Sequence, residues 1–139
     1  MGSVNGFKAY SGCSNLVQLF IKRAETFQEL SRVRQKYFEA AKDGQAEARG
    51  WTEDAYGMSN LFLQKHVECL GRSDTILGRK MFVAIVHPGL VDTGMMEDFP
   101  ERDKLLDIEE GIVSPLYVQS REYNALKNGK FWKEEQLLD

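Results

Sequence analysis

Two short stretches of the chain carry side chains that could do chemistry. The first is Tyr56-Gly57-Met58-Ser59-Asn60, a phenol and a carboxamide four residues apart, and so on one face if the segment is helical. The second is Pro88-Gly89-Leu90-Val91-Asp92-Thr93, which begins 32 residues after Tyr56. A free phenol ionises near pH ~10, so a Tyr that moves protons at neutral pH needs a nearby cation to favour its phenolate. Each stretch taken alone has a plainer reading. Tyr56 is then an aromatic at the edge of a core, and Pro88-Gly89 is a turn with Thr93 beside it. His66 and His87 read as structural or surface histidines, and Cys69 as a small core residue.

Composition narrows the field. The chain has 139 residues, 42% hydrophobic and 28% charged, which is ordinary globular composition and room for one domain. A net charge of −3 gives no electrostatic reason to expect nucleic acid or an anionic membrane as partner. Cys13 and Cys69 have no Cys-x-x-Cys spacing, so neither a metal site nor a disulfide framework is expected, and a reducing compartment suits them. No apolar run approaches the length of a membrane helix, and the first residues lack the pattern of a signal peptide. A cytoplasmic protein is the expectation.

The elements that must position the two stretches can be read along the chain. Residues 1–12 are rich in Gly, Ser and Asn and predict a loop. Leu16, Val17, Leu19, Phe20 and Ile21 predict one or two helical turns. Thr26-Phe27-Gln28-Glu29 is a capping box, followed by a stripe of Phe27, Leu30, Val33, Tyr37 and Ala41 that ends at Asp43-Gly44. Thr52 is a good N-cap for a helix from about Ala55 to Leu70, with apolar residues on more than one side. A polar turn over 72–79 then leads to Met81–Val86, six apolar residues that predict a strand buried on both faces. Asp107 and Glu110 cap a helix to about Ser120, which Pro115 should kink, and Lys130-Phe131-Trp132 predicts a last strand after the Asn128-Gly129 turn.

With helix, strand and spacing agreeing, the pair of motifs resembles the short-chain dehydrogenase/reductase family, whose patterns are Tyr-x-x-x-Lys and Pro-Gly-x-Val-x-Thr. A long helical stretch before the Tyr, with Gly50-Trp51, Glu109-Glu110-Gly111 and Gly129-Lys130-Phe131, is similar to the NADPH-dependent carbonyl reductases of that family. The resemblance covers nearly the whole chain and about the last half of such an enzyme. It implies an α/β fold, the C-terminal half of a Rossmann-like doubly wound parallel sheet. Residues 1–139 would form one partial domain, with a helical insertion at about 13–50 and the Tyr helix and last strands at about 51–139.

The resemblance also implies roles. Tyr56 would be the proton donor to a small carbonyl substrate (an aldehyde, ketone or quinone), with Asn60 at the motif's cationic position. Pro88, Gly89, Val91 and Thr93 would border the cofactor, NADP by family, and Leu90, Met95 and Met96 would lie near the substrate. The chain departs from the pattern at three points. Asn60 replaces the Lys, the Ser that polarises the carbonyl has no clear counterpart since Ser3 falls a few residues late, and no Gly-x-x-x-Gly-x-Gly loop is present. Lys65, nine residues from Tyr56, falls on about the opposite helix face. Two expectations follow. One is a partial reductase, inactive alone. The other is a short non-catalytic relative starting at Met1, which acts through protein binding, self-association or assembly with another chain along an exposed sheet edge.

Overall fold

A computed structural model describes residues 2–121, 127–133 and 136–138, with the side chain of Met95 outside the described set. The elements run α1 (Asn5–Gly12), α2 (Asn15–Arg23), α3 (Phe27–Lys42), α4 (Ala55–Gly71), α5 (Asp74–Gly78), β1 (Ala84–His87), α6 (Ile108–Gly111), α7 (Val113–Ser120), β2 (Lys130–Lys133) and β3 (Gln136–Leu138). The fold is mixed α/β. β1 pairs in parallel with β2, and β2 pairs antiparallel with β3. α6 and α7 lie on the connection between the two parallel strands, as a parallel pair requires.

The caps read from sequence form as expected. Thr26 and Glu29 make a reciprocal capping box at α3, and Asp107 and Glu110 make one at α6. α3 buries Leu30, Val33, Tyr37 and Ala40, so Ala40 rather than Ala41 closes the stripe, and Phe27 is left exposed. α4 starts on Asp54 instead of Thr52. The Asp54 carboxylate accepts from the Gly57 N–H at 2.8 Å, while the Thr52 hydroxyl accepts from the Asp54 N–H at 3.3 Å and shapes the approach. α1, α2, α3 and α4 share one cluster around Ile21, Leu30, Tyr37, Trp51 and Met58.

Three segments differ from the sequence reading. The first twelve residues contain α1, because Gly6 and Ala9 are small enough to bury against α4, and packing overrides the weak helix propensity of Asn5, Gly6 and Gly12. Residues 74–78 form α5, whose end holds Met81 through its N–H to the Ile76 carbonyl at 3.0 Å. β1 therefore begins only at Ala84. Its burial alternates, with Ile85 and His87 inside and Ala84 and Val86 half exposed, so it is not buried on both faces. Pro115 breaks its helix three residues upstream at Ile112, next to Gly111, whose carbonyl its ring would meet.

One close approach ties the helices to the sheet. A Cβ on Gly71, the last residue of α4, would lie 2.5 Å from the Gly129 Cα. Gly129 itself has φ of +73° and donates to the Val83 carbonyl at 2.8 Å. Asn128 completes the joint. Its carboxamide accepts from Val83 N–H at 2.9 Å and donates to the Met81 carbonyl at 3.1 Å.

Candidate functional site

The Asp54 cap places Tyr56 in the first turn of α4, with its side chain on the surface at 62% exposure. Asn60 follows one turn later and is half buried. Its Nδ2 donates to the Tyr56 carbonyl at 3.0 Å, and its Oδ1 accepts from the Ser3 N–H at 3.1 Å. Gln64, a further turn along, donates from Nε2 to the Ser3 carbonyl at 3.0 Å. Two side chains of one helix face thus hold both peptide groups of Ser3. The Ser3 hydroxyl accepts from the Asn5 N–H at 3.2 Å as α1 begins.

The same N-terminal segment reaches the sheet. Gly2 N–H donates to the Val86 carbonyl at 3.0 Å, and Val86 lies two residues before Pro88. A connection between the two motifs therefore runs through Gly2 and Ser3, from β1 to Asn60 to Tyr56.

Beyond β1, the Pro88–Thr93 segment is fastened to residues 106–111. Gly89 has φ of +92°, and a Cβ there would stand 2.5 Å from Leu106. Leu106 donates to the Leu90 carbonyl at 2.7 Å and accepts from Asp92 N–H at 2.8 Å, which makes a parallel bridge between Val91 and Leu106. The Val91 side chain presses on Gly111 where any Cβ would clash. Thr93 is exposed, and its carbonyl accepts from Met96 N–H at 2.8 Å. Asp92 pairs with Arg102 at 2.6 Å on the surface. Leu90 is 47% exposed.

Sequence reasoning set Ser3 aside as a few residues late and missed Gln64. Gln64 could have been found, since Tyr56, Asn60 and Gln64 are spaced i, i+4, i+8 on one face. The tie between Ser3 and Asn60 could not, because the two lie 57 residues apart. The histidines divide. His66 is exposed and lies 4.8 Å from the Phe27 ring, while His87 is buried in β1. Among the described residues, no cluster of His, Cys, Asp and Glu could hold a metal. None of the described helices is long and apolar enough to cross a membrane.

The chain is similar to carbonyl reductase (NADPH) 3 of Rattus norvegicus, 29% identical over 121 residues that cover 85% of this chain. It is equally similar to carbonyl reductase (NADPH) 3 of Mus musculus, 29% identical over 123 residues. The match covers 42% of each relative, so the chain spans less than half of their length. This is a distant relationship to oxidoreductases. No protein-family model matches.

The fit to a nicotinamide dinucleotide can be judged from the site. At the motif position where the family resemblance calls for a cation, Asn60 is neutral, and both ends of its carboxamide are already bonded to Ser3 and Tyr56. Gly89 and Gly111 use their missing side chains to seat Leu106 and Val91. A Gly-rich phosphate loop is missing from the sequence. These residues do not fit the whole cofactor.

Proposed function

We propose that this chain is the substrate-side half of a carbonyl-reductase-type oxidoreductase and that it does not reduce carbonyls by itself. The parallel β1–β2 pair with its helical connection would be the last part of a Rossmann-like sheet, and residues 1–139 one partial domain. Tyr56 would be the proton donor in a completed domain. Ser3, held on Asn60, is the hydroxyl we assign to the carbonyl oxygen. Pro88, Gly89, Val91 and Thr93 would border the cofactor, which is NADP to judge from the relatives' names.

The observation that carries the inactive part of this reading is the occupation of Asn60. A neutral amide, spent on Ser3 and Tyr56, puts no positive charge at the position where the family resemblance calls for one. Loss of one such acid–base element removes about 10²–10⁴ in rate. The test is NADPH oxidation by the purified chain with an aldehyde and a quinone, beside Tyr56→Phe. No turnover by either is expected, and turnover that Tyr56→Phe abolishes would sink the proposal. In a chain joined to a cofactor-binding half, Asn60→Lys should raise activity.

A second reading, assembly with another chain, is favoured by the outer edge of β1. Val83 faces β2, with its N–H on Asn128 and its carbonyl on Gly129, so Ala84 and Val86 turn their peptide groups to the opposite side. Among the described residues, Gly2 donates to that edge at Val86 alone. An added strand would pair there. Elution of the chain as a monomer at all concentrations would exclude self-association along this edge.

A further inference from the structure

A cavity lies along α4, and Tyr56 is not among its lining residues. It is a half-open groove of about 640 Å³ between α1, α2 and α4, within the size range of small-molecule sites. Tyr10, Leu19 and Leu61 give it apolar walls. Its charged groups are Lys22, Arg23, Lys65 and Arg72 against Glu25 and Glu68, a local excess of two positive charges on a chain whose net charge is −3.

The two carboxylates meet only part of that charge. Glu68 is shared, 2.7 Å from Lys65 and 3.9 Å from Arg72. Glu25 lies 3.9 Å from Arg72 across the opening. Lys22 and Arg23, in the last turn of α2, take part in none of the ion pairs within 4.0 Å among the described residues. Lys65 is only 8% exposed and holds Glu68, so the uncompensated charge lies with Lys22 and Arg23 beside it on the lining. Free phosphate would leave the apolar walls bare. The occupant that meets both halves of the lining has an oxyanion head and an apolar body.

We propose that the cavity between α1, α2 and α4 binds a small amphipathic carboxylate. Its head lies among Lys22, Arg23 and Lys65, and its chain against Tyr10, Leu19 and Leu61. The site is separate from Tyr56 and stands whether or not the reductase reading does.

Decanoate is the probe, titrated into the ¹⁵N-labelled 139-residue chain and followed by amide shifts, with decan-1-ol and inorganic phosphate as comparisons. Saturable shifts at Tyr10, Leu19 and Lys65 are expected with decanoate, and none with phosphate. Lys65→Met should weaken decanoate by about tenfold or more and leave decan-1-ol unchanged, because one charge-assisted hydrogen bond is lost. The exposed pair Lys22→Met with Arg23→Met gives the same readout if Lys65→Met does not fold. Leu19→Gln should weaken both ligands, and Tyr56→Phe neither. Equal decanoate affinity in the charge variants, shifts confined to the exposed face of α6 and α7, or no saturation (as when the cavity is a seat for another polypeptide) would each overturn the proposal.

Discussion

In the helical part of the chain, Ile21, Leu30 and Met58 are closed off from water at 0–1% exposure, whereas on the sheet side Ile108, Ile112 and Leu116 are 47–61% exposed. The two regions are built from similar residues and differ in partners. α3 and α4 are long, capped and packed on α1 and α2, so each buries one face in a shared core, although Leu16, Phe38 and Leu63 stay on the surface. The strands have three or four residues each, and a small sheet needs cover to be stable. Ile108, Ile112 and Leu116 repeat at intervals of four along α6 and α7, a stripe that faces outward. Trp132 makes the same point from inside. Its indole N–H is buried with no hydrogen-bond partner. The lesson is that the helical layer encloses a core of its own, whereas the α6–α7 stripe has no cover among the described residues.

The largest test of that contrast is a matched pair of truncations. Leu30→Ala should cost about 2–5 kcal/mol in urea unfolding, the usual result of a cavity in a closed core. Leu116→Ala should fall within about ±0.5 kcal/mol, as surface changes do. A cost at Leu116 comparable to that at Leu30 would mean that the outer stripe is covered in solution, and the contrast would fail.

Next comes the joint between the regions. Gly129→Ala forces a side chain into positive φ and toward the α4 backbone, where Glu68 Cα would stand 3.2 Å away. A loss of about 1–3 kcal/mol is expected for such strain. The sequence holds two tryptophans, and they report separately. Trp51 sits in the helical cluster and Trp132 in β2. With Trp132→Phe and Trp51→Phe each combined with Gly129→Ala, the Trp132 transition should move to lower urea ahead of the Trp51 transition. Coincident transitions would show that the sheet and helices still unfold as one unit.

What the sequence made legible was local. Both capping boxes and the Asn128-Gly129 turn lie within four residues, and each formed as read. The span of α4 was legible as well, because Gly71 marks its end and the Thr52–Asp54 stretch its start, although Asp54 rather than Thr52 is the cap. α1 was not, since Gly6 and Ala9 say nothing of a helix until α4 lies against them. The start of β1 was blurred because six apolar residues in a row carry no register, and α5 decides where the strand begins. At the site, the shared face of Tyr56 and Asn60 followed from spacing, while Ser3 arrived through contacts across the fold.

Asn60 tests that last contact at a smaller scale. Asn60→Ala removes the acceptor for Ser3 N–H and should cost about 0.5–1.5 kcal/mol by urea unfolding. Amide exchange at Ser3 should speed up while the bulk of α4 stays protected. Unchanged exchange at Ser3 would mean that Gln64 alone holds the segment. The same clip bears on Asn60→Lys, because a lysine cannot accept from Ser3 N–H. Any activity it restores comes with a looser Ser3.

The smallest expected effect separates the regions by pH. Burial raises the Cys13 and Cys69 thiols above the ordinary range, and burial followed by the Asp54 charge raises the Tyr37 phenol. All three groups lie in the helical cluster. A raised folded value means that the native state holds its proton more tightly than the unfolded chain does. The associated stability is fully present below the ordinary thiol value of about 8.5, and it is lost as pH climbs through that value and the phenol's ~10. Alkali should therefore lower the Trp51 transition, read in Trp132→Phe, more than the Trp132 transition, read in Trp51→Phe. Cys13→Ser and Cys69→Ser should each flatten part of that slope. If the Trp132 transition falls first instead, the packing that fails in alkali lies in the sheet, and the helical layer owes less to its buried protons than its geometry implies.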